Sequence, residues 1–135
     1  MDHTKKGTIR EDYYDLFICT QTFNFIYDVK RAIQGSYDLL ARGGTLLATV
    51  GGNISQISRY DMERWGDYWR FTYQSIDRLM KESFTTDVRC YPFGNCMAAT
   101  AFIQGLSVED VDRDLLEKLD SDYAIVIGIV AHKGE

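Results

Sequence analysis

The feature that most constrains how this chain can fold is the order strand, amphipathic segment, strand at its front. Residues 14–20, Tyr-Asp-Leu-Phe-Ile-Cys-Thr, are a short apolar run rich in aromatic and β-favouring side chains, the pattern of a strand buried on both faces. Between Asp28 and Arg42, Val29, Ala32, Ile33, Leu39 and Leu40 recur at helical spacing, and Gly43-Gly44 supplies a left-handed residue to end that helix. Residues 45–50, Thr-Leu-Leu-Ala-Thr-Val, are a second apolar strand closed by Gly51-Gly52-Asn53. Two strands joined through a helix run parallel, because a crossover returns the chain to the same end of the sheet.

The remainder continues the alternation. Residues 53–71 follow neither period yet carry Tyr60, Trp65, Tyr68, Trp69 and Phe71, an aromatic density too high for a solvated loop, and this segment has room for a short helix. A helix capped at Thr72 to Ser75 places Ile76, Leu79, Met80 and Phe84 on one face. Residues 87–91 read as a strand, and residues 97–103 as a short apolar helix opened at Gly94-Asn95. Ser107 with Asp110 resembles a capping box for a helix bearing Val111, Leu115, Leu116 and Leu119. Residues 124–131, Ala-Ile-Val-Ile-Gly-Ile-Val-Ala, are the most strand-like stretch of all. Four strands interleaved with helices predict a three-layer α/β domain over residues 1–135, with residues 1–12 as a charged leader.

Composition narrows the partners. With 45% apolar residues, 135 residues suffice for one core. Fifteen basic against 20 acidic side chains give a net charge of −5, which opposes a broad hold on nucleic acid or on an anionic membrane. No apolar run approaches a bilayer span, the polar N-terminus has no secretory signal, and Cys19, Cys90 and Cys96 have no close pairing, so a reduced cytoplasmic protein is expected. His3 and His132 sit at opposite ends of the chain, so spacing yields no metal-ligand cluster, and neither makes a general base. No catalytic residue is assigned.

Four stretches, in order, resemble the C-terminal half of a class I S-adenosylmethionine-dependent methyltransferase of the broad bacterial type called methyltransferase type 11. Residues 13–29, YYDLFICTQTFNFIYDV, look like that family's fourth strand and following loop. Residues 32–52, AIQGSYDLLARGGTLLATVGG, resemble the next helix, the turn usually written Leu-Lys-Pro-Gly-Gly, and the fifth strand, with Ala41-Arg42 here in place of Lys-Pro. Residues 67–72, DYWRFT, with Ser75, Leu79 and Phe84, are similar to the loop and helix after that strand. The terminal AIVIGIVAHKG is similar to the last strand and its basic end. The implied fold is a partial Rossmann-like methyltransferase sheet of about four strands, mostly parallel with an antiparallel last strand and helices on both faces. The family's glycine-rich cofactor turn and ribose-binding acid have no counterpart before Tyr14.

By this resemblance Thr20, Gln21 and Thr22, just past the first strand, would line the cleft for S-adenosylmethionine, their alternative role being to cap the strand. Arg59, Tyr60, Trp65, Tyr68 and Arg70 would cover a small-molecule acceptor by stacking and bidentate hydrogen bonds. The alternative makes Trp69 and Phe71 core anchors for the helix that follows, with Arg70 paired to an acid. Asn95 either caps the following helix or reaches a substrate cavity. Two functions follow: the C-terminal part of a methyltransferase, inactive alone, or a non-catalytic binding or assembly module. The strand over residues 14–20 would lack its neighbour on one side, and a homodimer through that exposed edge is expected.

Overall fold

Four strands form one sheet in the order β1-β2-β4-β3: β1 (Tyr14–Thr20), β2 (Leu40–Gly51), β3 (Asp87–Phe93) and β4 (Val126–His132). In this computed structural model, which describes residues 10–85 and 87–134, β1 pairs parallel with β2, and β4 runs antiparallel to both β2 and β3. The first three strands therefore share one direction and the last opposes them, as expected. Residues 1–9 of the charged leader lie outside the described residues.

Helix α1 (Val29–Leu39) makes the crossover from β1 to β2, opened by Asp28, whose carboxylate accepts the Arg31 N–H. After α2 (Arg59–Met62), a single turn within the aromatic segment, α3 (Tyr73–Phe84) starts at a capping box between Thr72 and Ser75. Helices α1 and α3 lie side by side on one face of the sheet, joined at their outer edges by Lys30–Glu82 and by the Ser83 hydroxyl donating to Gln34. Between them and the strands sits the core: Ile33, Ile76, Met80 and Phe84 from the helices against Leu46, Ala48 and Val50 of β2 and Ile127, Ile129 and Ala131 of β4. Alternate residues of a strand point to opposite faces, so this packing uses one parity of each strand.

The other parity is left open. Leu16 and Ile18 of β1 are 50% and 61% exposed, and Leu47, Tyr91 and Phe93 on the same face are exposed too. The α/β Rossmann-like arrangement is present, while the expectation of helices packed on both faces is met on one face only. The continuous apolar runs of β1 and β2 suit burial on both sides, and the described residues supply a cover for one.

Two local expectations are corrected. The helix after β1 ends at Leu39 and is closed by an extended Leu40, so Gly43-Gly44 does not end it. Those glycines form an irregularity inside β2, where the register with β1 jumps from Tyr14↔Leu40 to Leu16↔Thr45. Gly44 is needed there because a Cβ would lie 2.8 Å from the Ala41 carbonyl oxygen and 2.9 Å from that of Tyr14. The capping box at Ser107 and Asp110 forms, yet the long helix beyond it does not: a 3-10 turn (Val108–Asp110) is followed by extended Val111 and the one-turn α5 (Arg113–Leu116). The Asp112 carboxylate accepts the Asp114 N–H and favours a turn, while Leu115 and Leu119 stay exposed, so no apolar burial drives the helix to propagate. Residues 97–103 are helical as expected, within α4 (Cys96–Gln104).

Beyond β4, Lys133 is 8% exposed; its ammonium donates to the Asp12 carboxylate at 2.6 Å and to the Tyr37 carbonyl at 3.0 Å, above the Tyr37 ring. The hydrogen bond from Lys133 holds the Asp12 carboxyl below the usual carboxylate range.

Candidate functional site

Parallel strands end where their following helices begin, so the carboxyl ends of β1 and β2 and the loops behind them meet at one rim of the sheet. Thr20 is the last residue of β1, and Gln21 follows with a left-handed backbone, φ 49°. A non-glycine residue held there is strained by about 1–3 kcal/mol and persists only where its surroundings fix it. The Gln21 N–H donates to the Thr49 carbonyl of β2 at 2.8 Å, which extends the parallel ladder one step past the strand. Thr22 turns its hydroxyl back onto the Thr20 carbonyl at 3.0 Å, and all three side chains remain exposed at the rim.

Asn24 was not singled out by the sequence, yet it joins the two halves of the site. Its side chain is buried, with Oδ1 accepting the Gly51 N–H at 3.3 Å and Nδ2 reaching Gln21 Oε1 at 3.5 Å. Its backbone carbonyl accepts the N–H groups of both Tyr68 and Trp69, at 3.0 and 3.1 Å. A polar residue between Phe23 and Phe25 was the only hint available, and its partners lie 27 and 44–45 positions away.

The aromatic segment is shaped by one ion pair. Asp67, with a side chain 1% exposed, receives Arg70 Nη1 at 2.6 Å and Nη2 at 2.8 Å, and also accepts the Ser58 N–H at 2.9 Å. The Arg70 guanidinium further donates to the Ser55 hydroxyl and to the carbonyls of Gln56 and Trp69. These bonds, above all the one from Arg70, hold the Asp67 carboxyl below its usual range despite the burial that opposes ionisation. Arg70 is thus the staple of this loop, its donors taken by the protein.

The other candidates divide. Trp65 and Tyr60 are exposed, Tyr68 is half exposed, and Arg59 lies on the solvent side of α2. The Arg64 guanidinium covers one face of Tyr60 at 3.4 Å, and the Trp65 indole N–H donates to Asp61. Trp69 is half-buried rather than fully buried; its indole N–H is shared by the Ile26 and Tyr27 carbonyls at 3.1 and 3.2 Å, and Tyr27 stacks on it. Phe71 is in the core. Asn95 caps α4 through the Ala98 N–H at 2.8 Å and spends its amide on the Leu115 carbonyl at 2.8 Å. Arg70 borders a cavity of about 610 Å³ between the first turns of α1 and α3, which Trp69, Phe71, Leu79 and Lys30 also line; Arg59, Tyr60, Trp65 and Tyr68 do not.

His132 lies at the opposite end of β2, where Nδ1 is 2.8 Å from the Thr45 hydroxyl. Among the described residues no group of His, Cys, Asp or Glu is placed to hold a metal ion, and no helix is long and apolar enough to cross a membrane.

The fold that carries this rim is the Rossmann-like fold of S-adenosylmethionine-dependent methyltransferases. Solved structures similar to the chain are a phosphoethanolamine N-methyltransferase 2 from Haemonchus contortus, in complex with phosphomonomethylethanolamine and S-adenosylhomocysteine (TM-score 0.61, 14% identity, 94% of this chain and 35% of that one), and methyltransferases from Archaeoglobus fulgidus (0.59, 12%, 93% and 62%) and Mesorhizobium loti (0.60, 15%, 93% and 64%). The chain thus spans about a third to two thirds of the length of these proteins. No protein-family model matches it, and no curated protein matches it in sequence.

Proposed function

We propose that this chain is the C-terminal, acceptor-side part of an S-adenosylmethionine-dependent methyltransferase of the type 11 kind, cytoplasmic, acting on a small-molecule acceptor and inactive by itself. The observation that carries the reading is the Asn24 carbonyl, which accepts the Tyr68 and Trp69 N–H groups and so ties the aromatic segment to the loop that follows Thr20, Gln21 and Thr22. Cofactor-side and acceptor-side groups would have to lie close together, because methyl transfer from a sulfonium depends on aligning nucleophile and methyl group.

The fit to the cofactor is one-sided. Exposed polar side chains at Thr20, Gln21 and Thr22 suit one polar wall, whereas no glycine-rich turn or ribose-binding acid accompanies them among the described residues. When bound, the cofactor supplies the methyl group; the chain's own residues supply a polar wall on one side and aromatic faces on the other. Calorimetry of the isolated chain should therefore show no heat at micromolar S-adenosylmethionine, and amide NMR at millimolar S-adenosylhomocysteine should move Thr20, Gln21, Thr22 and Asn24. A one-to-one isotherm of low-micromolar affinity would refute the partial site, and unmoved amides at these four residues would refute the wall.

A further inference from the structure

The cavity of about 610 Å³ between the first turns of α1 and α3 has the size of a small-molecule site. Its apolar walls are the rings of Tyr27, Trp69 and Phe71 and the aliphatic side chains of Val29 and Leu79. The polar groups on its border are engaged within the chain. Lys30 pairs with Glu82 at 2.8 Å, and the Arg70 guanidinium with Asp67 at 2.6 Å. The Trp69 indole N–H is shared by the Ile26 and Tyr27 carbonyls, and the Ser75 hydroxyl donates to the Thr72 carbonyl at 3.0 Å. Asp28 gives one carboxylate oxygen to the Arg31 N–H and leaves a negative charge at the rim.

These pairings decide what can enter. A carboxylate or phosphate would have to displace Glu82 from Lys30 beside Asp28, giving up hydration without gaining an unpaired cation among the residues that line the space. A ring loses no such hydration and gains contact with three aromatic and two aliphatic side chains. Tyr27 adds a surface that only a ligand would cover: it is 72% exposed, with its ring 27° from that of Trp69 and 6.1 Å between centroids. We propose that this cavity binds an uncharged, flat aromatic molecule, held against Tyr27 and Trp69 at one side and Leu79 at the other. The site uses none of Thr20, Gln21 and Thr22 and lies on the face of the sheet that α1 and α3 cover, so it stands whatever the rim binds.

The probe is 2-naphthol, a neutral fused ring, with 2-naphthoate as its anionic counterpart. Titrated into the full chain near neutral pH and followed by amide and indole NMR, 2-naphthol should give saturable shifts at Tyr27, Val29, Trp69, Phe71 and Leu79, and bind at least about tenfold tighter than 2-naphthoate. Tyr27→Ala, at an exposed position, should keep the native circular dichroism and weaken 2-naphthol by about two- to tenfold, the scale of an aromatic pair. Leu79→Trp, which fills the space from a half-buried position, should weaken it further. Equal affinity for 2-naphthoate would overturn the proposal. So would shifts confined to Leu16, Ile18 and the open face of the sheet, or cavity shifts that Tyr27→Ala leaves at full affinity.

Discussion

Replacing Asp67 tests whether the aromatic segment is a structured wall or a loosely held loop. Asp67→Ala removes both bonds from Arg70 and the one from the Ser58 N–H, and leaves a guanidinium whose side chain is 24% exposed. Breaking a fully buried pair from one side costs about 3–5 kcal/mol. Water reaches part of Arg70, which also keeps the Ser55, Gln56 and Trp69 oxygens, so a loss of about 2–3 kcal/mol is expected. Asp67→Asn keeps acceptors for Ser58 and one guanidinium nitrogen and loses the charge, for about 1–2 kcal/mol. Urea unfolding followed by circular dichroism gives the global change, and iodide quenching of Trp65 and Trp69 reports the loop. The pH dependence has a fixed sign. A carboxyl depressed in the folded state contributes stability that is fully present above its unfolded value of about 3.9 and is lost as pH falls through the lower folded value. The gap between the natural chain and Asp67→Asn should accordingly be constant near neutrality and narrow in acid. A loss below about 0.5 kcal/mol for Asp67→Ala, the scale of an exposed ion pair, would refute the staple.

Gly52→Ala should destabilise by about 2–3 kcal/mol in the same unfolding assay, because a Cβ would lie 2.1 Å from the Ala124 carbonyl oxygen. Gly35→Ala, inside α1 with open space around it, should stabilise by about 0.5–1 kcal/mol. Asn24→Ala leaves the buried Gly51 N–H without its acceptor, at about 1–3 kcal/mol, and should raise iodide quenching of Trp69. Thiol labelling at pH 8, followed by mass spectrometry of peptides, should reach exposed Cys96 first; burial pushes Cys90 up to about 11 and raises Cys19, so both should react slowly in the folded state.

Local pattern sufficed where one element decides its own form. Strand β1 falls on the residues its composition marked, α3 starts at the Thr72 box, α4 at the Asn95 cap, and the crossover between β1 and β2 follows from their order. These features rest on side chains within a turn or two of one another, so sequence spacing carries them. Tertiary structure decided the rest. Among several acids, only folding selects Asp67 as the partner of Arg70, and only the meeting of β1 with the aromatic segment gives Asn24 its role. The continuous apolar runs of β1 and β2 suit burial on two faces, but α1 and α3 reach one of them, leaving Leu16 and Ile18 exposed. A strand's sequence states which faces can be buried; the surface that buries them comes from segments distant in sequence, which local pattern does not encode.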